Sequence, residues 1–186
     1  MTDSDAILEG QLRECYGRVV YAHKTHEKCA DNLLARHKRI KFSQIALSAL
    51  VTGGLIAAIA NDYPAIKIIS VLLSTVLLGL NTYIKDYDLG ELAQKHRRTA
   101  ADIWKIREQY LSLLTDLRAG GLTIEALRER RDALANELHA IYLGAASTDS
   151  NAYKDAQKAL KVSEDMTFSE AEVDNFLPKE LKRSSP

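Results

Sequence analysis

Residues 42–60 read FSQIALSALVTGGLIAAIA and residues 65–84 read AIKIISVLLSTVLLGLNTYI, with only Asn61-Asp62-Tyr63-Pro64 between them. The first run carries no charge. The second carries only Lys67, close enough to one end for its ammonium to reach an interface along its alkyl stem. Each run has about the 20 residues an α-helix needs to cross a hydrocarbon core of roughly 30 Å. Leu, Ile, Val and Phe supply eight residues of the first run and eleven of the second. At roughly −0.5 kcal/mol each, those of the first favour insertion by about 4 kcal/mol, opposed mainly by Gln44. The competing reading is a hairpin buried in a soluble core. Such a helix shows a charged face to water, and neither run has one. The short link, with Pro64 in the first turn of the second helix, makes the two helices antiparallel neighbours.

Positive residues set the orientation. Arg36, Lys38, Arg39 and Lys41 precede the first run; Lys85, Lys95, Arg97 and Arg98 follow the second; the link has neither Lys nor Arg. Both ends of the chain are therefore expected in the cytoplasm. Tyr63 and Tyr83 fall near opposite interfaces, where aromatic anchors sit. The start, Met1-Thr2-Asp3-Ser4-Asp5, is acidic where the n-region of a signal peptide is basic, so none is expected.

Working outward, the flanks carry apolar seams at alternating spacings of four and three. Before the first run the seam is Leu8, Leu12, Cys15, Val19, Ala22, His26, Cys29, Leu33, Arg36, Ile40. After the second it is Leu89, Leu92, His96, Thr99, Ile103, Ile106, Tyr110, Leu113, Leu117. Sustained heptads predict coiled-coil packing, and the hairpin brings the two rods side by side, antiparallel. Both rods are expected to continue a membrane helix without a break. His26 and His96 occupy seam positions at similar heights; polar seam residues commonly fix register, and a proton-sensing pair is the sharper alternative. Cys15 and Cys29, fourteen residues apart on one helix, are about 21 Å apart and read as packing residues.

Gly120-Gly121 ends the second rod. A third helix is predicted from about Thr123 to Tyr142, striped by Ile124, Leu127, Leu134, Leu138 and Ile141. Arg128, Arg130 and Arg131 flank that stripe as candidate contacts for an anionic ligand or lipid headgroups, although such charges more often solvate a helix face. A loop over residues 145–150, a short helix over 152–162, and a capping box of Thr167 with Glu170 complete the chain. The organisation is thus an all-α membrane protein in four parts: a cytoplasmic N-terminal helix (1–41), a two-helix transmembrane hairpin (42–84: spans 42–60 and 65–84, turn 61–64), a cytoplasmic coiled-coil helix (85–119), and C-terminal cytoplasmic helices (122–186).

With 25 Lys and Arg against 25 Asp and Glu, there is no global pull toward nucleic acid, and no direct nucleic-acid binding is expected. No nucleophile–base pair, metal-ligand spacing, phosphate loop or dinucleotide fingerprint appears, so neither an enzyme nor a cofactor is expected. The polar residues of the spans are more informative. Gln44, Ser48 and Thr52 share a face of the first; Ser70, Ser74 and Asn81 share one of the second. Spacing alone favours interhelical hydrogen bonds that hold the hairpin together. The alternative is the lining of an aqueous pore in an oligomer. Gly53 with Ala57, and Gly54 with Ala58, offer small-residue faces for close helix approach, within the hairpin or between copies.

Several stretches resemble the SLATT family, the SMODS and SLOG-associating two-transmembrane effectors of bacterial nucleotide-signalling conflict systems. They are His23, Ala30 and Arg36-His37-Lys38 before a span with Leu47-Ser48-Ala49; Tyr83 at the exit of the second; then Lys95-His96-Arg97, Ala100, and IWKIREQYLSLLTDL over residues 103–117. Arg131-Asp132, Ile141-Tyr142, residues 152–157 (AYKDAQ) and Phe176-Leu177-Pro178 resemble the longer subfamily with extended C-terminal helices. The likeness runs from about Tyr16 to Lys182. It implies a membrane effector in defence against phage or other invaders, located in the bacterial inner membrane. It further implies a homo-oligomer that permeabilises that membrane when triggered. The implied partners are a nucleotide second messenger, its associated synthetase or a reverse transcriptase. The alternative is a non-conducting, membrane-anchored coiled-coil scaffold that recruits a cytosolic partner.

Overall fold

The structure, a computed structural model, describes residues 3–60 and 63–183. Asn61 and Asp62 of the expected turn lie outside the described residues. Six α-helices follow in order: α1 Asp3–Ala60, α2 Pro64–Asp86, α3 Leu89–Ala119, α4 Ile124–Gly144, α5 Ser150–Lys161 and α6 Glu170–Phe176, then a short 3₁₀ turn Lys179–Leu181. No strand occurs among the described residues.

Helix α1 is unbroken through 58 residues, about 87 Å of rise, so the first rod and the first apolar run are one helix, as expected. The second rod departs from expectation. Helix α2 stops at Asp86, and Asp88 opens α3 as its N-cap, its Oδ1 accepting from the amides of Gly90 and Glu91 at 2.9 Å each. A side-chain carboxylate that satisfies two orphan amides competes with helix continuation, and this sets the break. The same contacts hold the Asp88 carboxyl below its ordinary range.

Along its whole length α1 pairs antiparallel, first with α2 and then with α3. Contacts march in opposite directions down the two strands of this long hairpin: Gly54 with Ser70, Gln44 with Asn81, Arg36 with Tyr83, His26 with His96, His23 with Ala100, Glu9 with Arg118. The seam on α1 differs from prediction at its middle. His23, Ala30 and His37 turn inward, and Arg36 turns out, its guanidinium donating to the Tyr83 hydroxyl at 3.0 Å. On α3, Ala93 at 1% exposure replaces Leu92, which is half exposed. The buried face of α1 is widened there, with His26 and Cys29 still buried beside His23 and Ala30, because 3.6 residues per turn drifts against a seven-residue repeat.

The core lies in the polar half. Leu8, Leu12 and Val19 of α1, Ile103, Ile106, Tyr110 and Leu113 of α3, and Leu127 and Leu134 of α4 form one buried cluster, so α1, α3 and α4 make a three-helix bundle. Burial pushes the Tyr110 phenol up to about 12. Gly120, at φ 68°, caps α3 in the left-handed conformation that glycine adopts without a Cβ penalty. Thr123 then caps α4 by accepting from the amide of Ala126. Helix α5, capped by Asp149 rather than starting at Ala152, lays Ala152, Ala156 and Ala159 into the fold, which places it close against α1. The Tyr21 and Tyr153 rings, 6.0 Å apart, and the Asn32–Asp155 hydrogen bond of 3.0 Å fix that contact. Lys24 reaches Asp165 at 2.9 Å and ties down the turn after α5. The last capping box forms at Ser169 and Glu172, two residues beyond Thr167 and Glu170. There the Ser169 and Glu172 side chains each accept from the other's backbone amide.

Candidate functional site

The apolar half has the same helical pairing and an opposite surface. Phe42, Ile45, Leu50, Ile56, Ile59, Ile68, Leu72 and Leu78 are each more than 60% exposed. Only 6% of the most apolar 18-residue window of each long element is buried. A hairpin in the core of a soluble protein is mostly covered; this one is bare on nearly every side. So large an apolar surface cannot face water at acceptable cost and calls for lipid or another protein.

Three features organise the hairpin. At the junction with the polar half, Arg36 lies 5.9 Å from the centre of the Tyr83 ring and hydrogen bonds its hydroxyl, while Tyr83 and Tyr87 stack at 5.1 Å. This cation and two phenols form the girdle expected where apolar chain meets water. Near the turn, Ser70 is 3% exposed beneath Gly54; a Cβ on Gly54 would stand 2.6 Å from the Ser70 Oγ. Gly54 therefore permits the close approach, with Ala58 buried one turn on. Gly53 has nothing within 4 Å of its would-be Cβ and belongs to the outer face; Ala57 is half-buried.

The third feature is a groove of about 800 Å³ on the outer face, whose polar lining is Gln44, Ser48, Thr52 and Asn81 with Gly53 beside them. The Gln44 amide donates to the Asn81 carbonyl oxygen at 2.6 Å, and Thr52 donates to the Ser48 carbonyl at 2.9 Å. The structure thus joins Asn81 of the second span to the trio of the first. Ser70 is instead buried between the helices, and Ser74 is exposed outside this groove. Sequence periodicity finds each polar stripe; only the register of the hairpin assigns Asn81 to one groove and Ser70 to the interface.

The arginines of α4 do not converge. Arg131 is held by Asp132 at 2.7 Å and by Gln11 at 2.7 Å, whereas Arg128 and Arg130 are exposed. Gln11 is some 30 residues before the first apolar run, about 45 Å along α1.

In the polar half, three buried histidines bridge α1 and α3. His26 and His96, 4% and 2% exposed, approach Nδ1 to Nδ1 at 2.9 Å, and His23 Nδ1 lies 2.9 Å from the Ala100 carbonyl. One of the paired nitrogens carries the proton and the other accepts it. Burial, then His96 and His23, push the His26 pKa down to about 4; burial lowers His96 as well, against the opposing field of Asp149. The pair is neutral near pH 7. Glu9, at the far end, is held below the ordinary carboxylate range chiefly by its bond to Arg118. No group of three or more potential metal ligands occurs among the described residues.

Neither curated proteins nor solved structures give a significant match to this chain. A family model does, over residues 8–172, from the first buried leucine of α1 into α6, so that hairpin, bundle and α5 all fall within the match. The chain belongs to the SMODS and SLOG-associating 2TM effector domain family 4.

Proposed function

We propose that this protein is a membrane effector of a bacterial anti-phage or conflict system whose hairpins gather in the inner membrane and permeabilise it when triggered. The observation that carries the reading is the polar groove that gathers Gln44, Ser48, Thr52 and Asn81 of both spans on a predominantly apolar surface. Polar side chains facing lipid are costly, so they are retained where they meet water or another helix. Gly53, bare in one copy, allows a second helix to approach the same face. The Lys/Arg asymmetry supports both polar arms lying in the cytoplasm. There the bundle is placed to receive a trigger from a nucleotide second messenger, its synthetase, a reverse transcriptase or another cytosolic partner. Exposed Arg128 and Arg130 suit an anionic ligand or partner surface. The proposed division of labour is an N-terminal helix over 1–41, a transmembrane hairpin over 42–84, and cytoplasmic helices over 85–119 and 122–186, none of them enzymatic.

One observation favours a second reading, the non-conducting scaffold. The Gln44–Asn81 hydrogen bond satisfies two of the groove's polar groups inside a single hairpin. Membrane depolarisation in cells separates the two. Replacing Gln44, Ser48 and Thr52 together by Leu, Ala and Val raises hydrophobicity and keeps insertion. Loss of depolarisation at matched expression supports the pore. A wild type that never depolarises cells, even with its genomic partners present, sinks it in favour of the scaffold.

A further inference from the structure

Beside the buried histidines, between α1, α5 and the end of α4, lies a cavity of about 620 Å³. The volume is within the range of sites that hold small organic ligands. Three phenol rings line it, Tyr21, Tyr142 and Tyr153, one from each of those helices, with Thr148 of the α4–α5 loop beside them. His26 also lines it and is 96% buried, since only 4% of it is exposed. Its Nδ1 is engaged by His96, and no hydrogen bond to its Nε2 occurs among the described residues. With its Nδ1 taken, the His26 ring lends the cavity wall one further directional polar atom.

Charge decides the class of occupant. Among the described residues lining the cavity the cation is Arg18, and Glu14, also in the lining, already pairs with it. The imidazole is neutral. An anion therefore finds no uncompensated positive charge, whereas a flat ring finds three phenol rings, Tyr21 and Tyr153 being 6.0 Å apart, and the imidazole of His26. We infer that this cavity binds an uncharged planar heteroaromatic molecule of nucleobase or flavin-ring type, stacked on the tyrosines with one edge hydrogen-bonded to His26. The inference is independent of what the hairpin does in the membrane.

The test uses the full chain in detergent micelles and calorimetric titration with adenosine, guanosine and lumichrome, each beside a phosphorylated counterpart: AMP, GMP and FMN. At least one uncharged ring should bind saturably with a submillimolar Kd, and its phosphate should not tighten binding. Tyr142→Ala, at a half-exposed position, should weaken that binding at least tenfold, and Thr148→Trp, which fills the cavity from an exposed loop, should abolish it. Unchanged melting temperatures of both variants exclude loss of fold as the cause. Absence of saturable binding by all three rings, a tenfold preference for a phosphorylated form, or binding unaffected by both variants overturns the proposal.

Discussion

The two halves of this molecule share one pairing and differ in what surrounds it. In both, α1 lies antiparallel to its neighbour, with residues close to a heptad spacing at the contact. In the polar half α4 and α5 close over the pair, and Leu12, Ile103, Ile106 and Leu134 reach 0% exposure. In the apolar half nothing among the described residues covers it, and Ile56 and Ile59 stand 65% and 85% exposed. The polar half completes its own core. The apolar half calls for lipid or another protein to cover it. An exposed isoleucine therefore means different things at the two ends of α1.

The largest effect is expected inside the completed core. Ile103→Asp buries an unpaired charge among α1, α3 and α4 and should destabilise the bundle by at least about 4 kcal/mol, visible as a collapsed melting transition. An unchanged melting temperature would break the bundle half of the comparison. Next come Ile56 and Ile7, which are 65% and 75% exposed. If lipid surrounds the hairpin, Ile56→Asp should cost about 3 kcal/mol of insertion, read as failed membrane integration. Ile7→Asp should change stability by less than about 0.5 kcal/mol. Equal tolerance at both sites would remove the distinction between the halves.

Acid should attack the polar half alone. Folding moves His26 from an ordinary 6.5 down to about 4, so between these values the unfolded chain takes up a proton that the folded chain refuses. Stability is full above pH 6.5 and lost as pH falls toward 4, by about 3 kcal/mol at 1.36 kcal/mol per pKa unit. Burial sets this response, with His96 and His23 adding to it at His26 and Asp149 opposing at His96. His26→Gln should flatten the pH dependence of the melting temperature.

The smallest effects separate the two glycines. Gly54→Leu drives a side chain into Ser70 and should loosen the hairpin by about 1–3 kcal/mol, detectable as weakened crosslinking between the two spans. Gly53→Leu meets open space within one chain and should leave that crosslinking unchanged, while lowering the oligomer yield of chemical crosslinking in membranes. If both variants act only within the hairpin, the outer face is not a contact surface.

Much of this was legible in sequence because hydrophobic period and length carry it. Two apolar runs joined by four residues give the hairpin, and the seams give the rods. Less legible were features set by single side chains. The α2–α3 break rests on Asp88, and its signal, an aspartate three residues before Glu91 with Gly90 between, reads as a helix start only when the apolar pattern around it pauses. The docking of α5 rests on Ala152, Ala156 and Ala159, small residues whose spacing marks a close-packing face but not its partner. The groove needed three dimensions: Gln44 and Asn81 are 37 positions apart, and only the register of the folded hairpin puts their amides 2.6 Å apart.

The central claim is that the groove meets water while the rest of the hairpin meets lipid. Cysteine accessibility tests it most directly, in a background where Cys15 and Cys29 are replaced by alanine. Ser48→Cys lines the groove; Leu50→Cys lies on the 61% exposed apolar surface outside it. In cells whose membrane the protein has depolarised, a membrane-impermeant charged thiol reagent should modify Ser48→Cys and block the current, and should leave Leu50→Cys untouched. Protection of both positions would contradict the account, because no water then reaches the groove; reaction at both would place the hairpin outside the membrane.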